Sequence, residues 1–373
     1  MRIRHLARAG AVALAVACTL ITATTSGAAG TAQEAAWEIT PGADAAETFL
    51  GSISSVGPQL AWASGSKDGA GLILRWNGTT WAKDPAPGLP AVWEWSSVSA
   101  VSATDVWAYG FVSLTPKLFH YDGTRWTGVP VASDVDTSFW TSVPVKAVPG
   151  RLFMGGTSLR TWTNGTWETF GLPSNVHIRD IDALSADDAW ATGMVYPAST
   201  GRAVVYHWDG ASWTQVEQPP TVGTEIDQVS EESPDSVYVS GYARDWEDAP
   251  SIAHWNGTAW EDITGPMEGF ELHGMTVDGV GGLWVAGRDA DMSKPAFWRY
   301  DGTSWTRELG KTASIDDVEG MEGSYVFEDI TTVDGTGALW AIGTYGVHSP
   351  TFPPTTYALA ERFTPGTPAA GRD

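Results

Sequence analysis

Across residues 117–129 apolar and polar positions alternate almost strictly, KLFHY before Asp122-Gly123 and TRWTGV after it. A period of two predicts a pair of half-buried strands, and the aromatic and β-branched residues in it suit a pleated surface. Asp-Gly between them predicts a tight two-residue hairpin, because both central positions of such a turn need positive φ. The arrangement recurs at Asn77-Gly78, Asn164-Gly165, Asp209-Gly210, Asn256-Gly257 and Asp301-Gly302. A tryptophan follows each pair: Trp81, Trp126, Trp167, Trp213, Trp260 and Trp305. The glycine-to-tryptophan spacing is constant except in the third copy, which is one residue shorter.

Upstream of each hairpin lies a short apolar strand with an aromatic and, three residues on, a glycine. These strands are predicted at 60–65, 106–110, 152–156, 189–193, 237–241, 283–287 and 339–343, with Trp62, Trp107, Phe153, Trp190, Tyr238, Trp284 and Trp340 as the aromatics. The glycine is expected where neighbouring backbone or a ring packs too closely for a side chain. Each repeat reads as four strands, a unit whose apolar face cannot be buried alone. Stacking predicts an all-β, seven-bladed β-propeller over residues 33–366, with a tail at 367–373. The last unit lacks a fourth strand, and residues 35–42, AAWEITPG, are spelled like the fourth strand TAWEDITG at 258–265. An N-terminal strand is therefore expected to complete the last blade, with Trp37 beside Arg362 and Phe363, leaving no free edge between first and last blades.

The apolar strand ending in Gly, the aromatic-Asp pair and the following Trp resemble kelch-type propellers, the architecture of the galactose-oxidase central domain; Met154-Gly155-Gly156 keeps the paired glycines. The tighter spelling, DVWAYG at 105–110 and HWDGASW at 207–213, resembles secreted repeat proteins common in actinobacteria. What these resemblances imply is fold and export. A copper radical site of the galactose-oxidase type needs a cysteine-tyrosine crosslink, and the only cysteine is Cys18. Sialidase Asp boxes need SxDxGxTW spacing, which an adjacent Asp-Gly does not give.

Arg2, Arg4 and Arg8 ahead of an uncharged run to Ala32 have the layout of a secretory signal peptide over residues 1–32. An exported, soluble protein is expected, with lipidation at Cys18 as a minor alternative. Loss of that segment removes three arginines and no acid, taking the formal charge from −23 to −26. So acidic a surface repels a phosphate backbone, which excludes nucleic acid as a partner. Without cysteine after residue 32, neither disulfides nor thiolate metal sites are available, and no cofactor is expected.

Of 21 tryptophans, fifteen fall on repeat positions and are read as packing, whereas Trp93 and Trp246 fit no repeat position. His120, His207 and His254 share one repeat position with Arg75, Arg299 and Arg362 and are read as structural. His177 and His273 fall on connections between blades, near Arg179, Asp180, Asp227, Glu271, Glu328 and Asp329. Those connections, and the uneven loops predicted at 111–116, 195–202, 242–250, 288–295 and 344–356, should share the face that holds the channel mouth, where ligands bind on a regular scaffold. The candidate ligand-binding set is Trp93, Glu94, His177, Arg179, Asp180, Trp246, Glu271, His273 and Asp329. No metal spacing such as HExxH occurs, and no catalytic signature is found. The expected function is non-catalytic, lectin-like recognition of a glycan or cell-surface ligand, with a protein-docking subunit of an extracellular assembly as one alternative and a glycoside-active enzyme as another.

Overall fold

A computed structural model describes residues 34–112, 115–131, 143–196, 202–242, 249–313, 322–333, 335–349 and 352–366. The readings of residues 1–32, of Trp246 and of the 367–373 tail lie outside the described residues. A leading strand β1 (Ala36–Ile39) precedes a series of antiparallel meanders, each four strands long. The first comprises β2 (Thr48–Gly57), β3 (Leu60–Lys67), β4 (Ala70–Trp76) and β5 (Trp81–Lys83). It is followed by β6 (Glu94–Ser102), β7 (Asp105–Val112), β8 (Thr115–Tyr121) and β9 (Trp126–Val129). Next come β10 (Val145–Val148), β11 (Arg151–Met154), β12 (Ser158–Thr163) and β13 (Thr166–Gly171). β14 (Val176–Ser185), β15 (Asp188–Val195), β16 (Ala203–Trp208) and β17 (Trp213–Val216) join β18 (Glu225–Ser233), β19 (Ser236–Tyr242), β20 (Ser251–Trp255) and β21 (Trp260–Asp262) in one eight-stranded sheet through a single pairing, Met194 with Glu225. β22 (Glu271–Val277), β23 (Leu283–Arg288), β24 (Ala296–Tyr300) and β25 (Trp305–Leu309) come next. Then follow β26 (Glu322–Val333), β27 (Ala338–Ser349) and β28 (Phe352–Thr364). The outer partner of β28 is β1, with Trp37 opposite Phe363 and Glu38 opposite Arg362, the pairing read from AAWEITPG.

The hairpin turns divide in a way the Gly-to-Trp spacing encodes. Only the short third copy is the expected two-residue turn, with Asn164 at φ 51 and Gly165 at φ 84 closing Thr163 onto Thr166. In the other copies only the glycine has positive φ, and the loop is four residues long, pairing Trp76 with Trp81 and Tyr121 with Trp126. There the Asn or Asp serves through its side-chain oxygen: Asp122 Oδ1 accepts the Thr124 and Arg125 amides at 2.8 and 2.9 Å. The span is the same in the third copy, where Trp162 pairs with Trp167; there Asn-Gly stands one position later, at the centre of the turn, whereas an Asn or Asp at the first position can cap the amides that follow it. The loop expected at 344–356 is also largely strand, since Tyr345, Val347, Thr355 and Tyr357 pair across β27 and β28 and the two tyrosine rings stack at 5.1 Å.

Neighbouring units are locked by the tryptophan that opens each outer strand. Trp126 Nε1 donates to Asp84 Oδ2 at 3.1 Å, Trp167 Nε1 to the Pro130 carbonyl at 2.7 Å and Trp305 Nε1 to the Ile263 carbonyl at 2.6 Å, all on the preceding unit. Trp81 does the same to Thr40 Oγ1 at 3.1 Å, just past β1. The histidines and arginines of the shared repeat position lie over the aromatic of the second strand, His120 on Trp107 at 4.4 Å and Arg362 on Trp340 at 5.4 Å. His120 and His207 are also held by Asp105 and Asp188, each at 2.8 Å. That packing role is the one read from the sequence.

Candidate functional site

The glycine three residues after each aromatic shapes the site. A Cβ on Gly65, Gly110, Gly193, Gly241, Gly287 or Gly343 would lie 1.8 to 2.3 Å from a carbonyl oxygen of the adjoining first strand. Only a bare backbone lets the two chains come so close. Directly beyond each contact the first strand bulges, skipping Gly51, Ser96, Arg179, Asp227, His273 and Glu328 in the register. A bulge re-aims the side chain of its extra residue, and Arg179 with Asp227 and His273 with Glu328 meet in this way between neighbouring units. β10 has no bulge, and Gly156, at φ 100, instead gives its carbonyl to the Ile178 amide at 2.8 Å.

The first strands β2, β6, β10, β14, β18, β22 and β26 together line one polar cavity of about 260 Å³. Serines dominate one side (Ser52, Ser54, Ser97, Ser99) and charges the other (Lys146, Arg179, Asp180, Asp182, His273, Glu328, Asp329). Side chains of β2, β6, β14, β18 and β26 accept amides of the next first strand, on β2 and β14 from two residues two apart. Ser54 Oγ accepts the Ala100 amide at 3.0 Å, Ser99 Oγ the Ala147 amide at 2.9 Å and Ser230 Oγ the Val277 amide at 3.0 Å. Asp180 Oδ2 accepts the Val229 amide at 2.9 Å, Asp182 Oδ2 the Glu231 amide at 2.8 Å and Asp329 Oδ2 the Ile53 amide at 2.8 Å. The second oxygens of these three aspartates are engaged as well, by the amides of Ile181, Ala183 and Ile330. The gap left by the bulge-free β10 is spanned by Lys146 Nζ on Asp182 Oδ1 at 2.5 Å.

Polar side chains continue this series of contacts. Arg179 reaches Asp227 at 3.3 Å and Glu225 at 3.9 Å; His273 meets Glu328 at 3.0 Å and Glu271 at 3.9 Å, and Glu271 also holds Arg288. Desolvation inside the cavity pushes the Asp180 and Asp329 carboxyls up to about 7, against the pull of the amides they accept. Burial, with Glu225 adding repulsion and Arg179 opposing, raises Asp227 to about 6. Burial disfavours the Lys146 ammonium, but the Asp182 carboxylate outweighs it and holds the pKa up.

Of the residues expected from sequence, Arg179, Asp180, His273 and Asp329 line this cavity, and Glu271 joins them through His273. Asp180 and Asp329 spend both carboxylate oxygens on backbone amides, so their place is in the clamp between strands. Glu94 and His177 occupy equivalent positions at the heads of β6 and β14, where their carbonyls lie under Gly110 and Gly193. Burial raises the Glu94 carboxyl. Trp93 stands just before β6, half exposed at 50% and outside the cavity lining. Sequence reasoning left out Lys146, Asp182 and the paired serines. Their signal was the recurrence of hydroxyl or acidic residues two apart in the first strands, as in Ser52/Ser54 and Asp180/Asp182.

A pocket that engulfs a small ligand usually measures about 300–1,000 Å³, so a 260 Å³ space serves better as the floor of a surface site than as a container. Among the described residues no group of three or more His, Cys, Asp or Glu is arranged to hold a metal ion, and no helix is long and apolar enough to cross a membrane.

No family model and no curated protein sequence matches the chain. Among solved structures it is similar to YCF48 bound to D1 peptide, at 13% identity over 91% of this chain and 97% of that one, with a TM-score of 0.57. It is also similar to YCF48 from Cyanidioschyzon merolae, at 13% identity over 88% of this chain and 98% of that one, TM-score 0.55. The GH74 xyloglucanase from Xanthomonas campestris gives a TM-score of 0.60 at 12% identity, covering 86% of this chain and 55% of that one. At such identities a likeness carries the fold alone, and the chain is an all-β protein whose structural neighbours are β-propellers.

Proposed function

We propose that the chain is an exported, seven-bladed propeller closed by β1, acting as a non-catalytic binding module that recognises a glycan at the mouth of its central cavity. Pairing of β1 with β28, the Trp81 bond to Thr40 and the Asp329 clamp on Ile53 support the closed ring. The observation that carries the binding reading is the set of bulges, which present Arg179, Asp227, His273 and Glu328 from neighbouring blades around one opening. Glu94 and the half-exposed Trp93 stand at the head of a further inner strand, a flat apolar surface beside polar groups. Asp180, Asp182 and Asp329 hold backbone amides with both oxygens, and Glu225, Asp227, Glu271 and Glu328 are paired with Arg179, Arg288 or His273, which favours a binding role for these carboxylates. Glycan-array binding by the protein, lost in Trp93→Ala and in His273→Ala with the fold intact, is the expected result.

A second reading, docking of a protein partner, is favoured by the β27–β28 hairpin, which runs on past Gly343 with Tyr345 stacked between Tyr325 and Tyr357 at 6.0 and 5.1 Å. A blank glycan array together with a partner chain that co-purifies, and is lost in Tyr345→Ala, would replace the first reading by the second.

A further inference from the structure

A second cleft opens on the outer side, between the β16–β17 edge and the β20–β21 hairpin, and encloses about 740 Å³. That is nearly three times the central cavity and well inside the range of ligand-holding pockets. Trp255 and Trp260 form its apolar wall at a ring separation of 5.5 Å, and both remain partly exposed. The repeat position of Trp255 takes two forms. Trp76 and Trp208 are 4% and 1% exposed and donate Nε1 to the carbonyls of Pro58 and Ala186 at 3.3 and 3.0 Å, whereas Trp162 and Trp255 stay partly exposed. The Trp255 indole N–H has no hydrogen-bond partner among the described residues, and it is not sealed in the core.

The other side of the cleft carries Gln215, Gln218 and Thr258, neutral side chains able to donate and accept. The charged side chains in the lining are one base and one acid, Arg202 and Glu217, so the cleft has no net charge although the chain carries −23. Flat indole surface, an unspent N–H and neutral two-way hydrogen-bonding groups suit a ligand with an apolar ring face and a rim of hydroxyls. We infer that this cleft is a binding site for a neutral saccharide, at pyranose scale. It is separate from the mouth and stands on different observations.

The test titrates the full chain with cellotetraose, chitotetraose and maltotetraose, following indole fluorescence and the Trp255 side-chain NMR signal. A saturable change with at least one sugar is expected. Gln215→Ala combined with Gln218→Ala should weaken it at least about tenfold, and Trp255→Phe, which keeps a ring but removes the N–H, about fivefold. The two glutamines lie outside the core, so their double variant decides the matter even if Trp255→Phe folds poorly. The Trp255 signal should titrate with the same midpoint in Trp93→Ala, and any fluorescence change lost in that variant reports the mouth instead. The inference is overturned by sugars that give no saturation up to about 10 mM. It is equally overturned by glutamine variants that bind like the parent, by a response that follows Trp93 instead, or by a proline-rich peptide that fills the cleft while the sugars do not.

Discussion

Asp329 on β26 accepts the amide of Ile53 on β2 at 2.8 Å, a bond between residues 276 positions apart. It belongs to the same series as Asp180 on Val229 and Asp182 on Glu231, so the first and last units are joined by the device that joins internal neighbours. Asp329→Ala leaves the Ile53 amide without its acceptor and is expected to cost about 1–3 kcal/mol. Asp329→Asn, which keeps an acceptor oxygen, should cost less. Urea midpoints of the two variants measure the difference, and equal losses would show that the bond is dispensable.

Trp37 tests the contribution of β1. It is 3% exposed, stacks on Phe297 at 3.9 Å with 9° between planes and packs on Phe363. Trp37→Ala should remove about 3–5 kcal/mol, as for other large-to-small core changes. A loss below about 1 kcal/mol, measured by chemical unfolding, would mean that the N-terminal strand only decorates the last sheet.

Gly193 and Gly171 separate geometry from residue type. A Cβ on Gly193 would meet the His177 carbonyl at 1.9 Å, while one on Gly171 would meet nothing within 4 Å. Gly193→Ala should destabilise by about 1–3 kcal/mol or more and shift the neighbouring bulge that aims Arg179. Gly171→Ala should be neutral or slightly stabilising, because the unfolded chain loses freedom at no native cost. Thermal melts decide, and similar melts for the two variants would refute the close-approach account.

Glu231 gives the stability a pH dependence of defined sign. It is 2% exposed, and burial with the Asp182 and Asp188 charges raises its pKa from 4.5 to about 9, against the pull of Lys146. The folded state therefore binds this proton more tightly than the unfolded chain. The stabilisation is complete below 4.5 and is lost as pH climbs towards 9. Wild-type stability should fall between about pH 6 and about pH 8, and Glu231→Gln should flatten that slope and gain about 1–3 kcal/mol at the upper end. Parallel curves for the two proteins would rule the mechanism out.

The two turn chemistries are also separable. Asn164→Ala forces alanine to φ 51, whereas Asp122→Ala removes an acceptor from two amides without a positive φ. Each should lower the melting temperature, but glycine at the position should rescue Asn164 and fail to rescue Asp122. Rescue of both, or of neither, would collapse the distinction.

The strands, their order and the Trp37 pairing could be read from the chain because the repeat samples one structure many times, and the glycine after each aromatic recurs wherever backbone presses on backbone. What the repeat could not show was register. A bulge adds one residue to one strand without changing the spacing of aromatics, so Arg179 and His273 stood out only as charges on a connection. For the same reason Asp180 and Asp329 looked like ligand groups, although their oxygens clamp the next strand. The cleft at Trp255 was hidden for the opposite cause: a tryptophan on a packing position looks like its copies in the sequence, and its partial exposure beside Gln215 and Gln218 shows only in the fold.

The bulges have one more consequence. Because the glycine on the second strand absorbs the close approach, the extra residue on the first strand carries no packing duty, and the chain has Gly, Ser, Arg, Asp, His and Glu at six such places. The scaffold thus works like a ring of interchangeable sockets. The residue in one socket can be exchanged while the strands around it stay as they are.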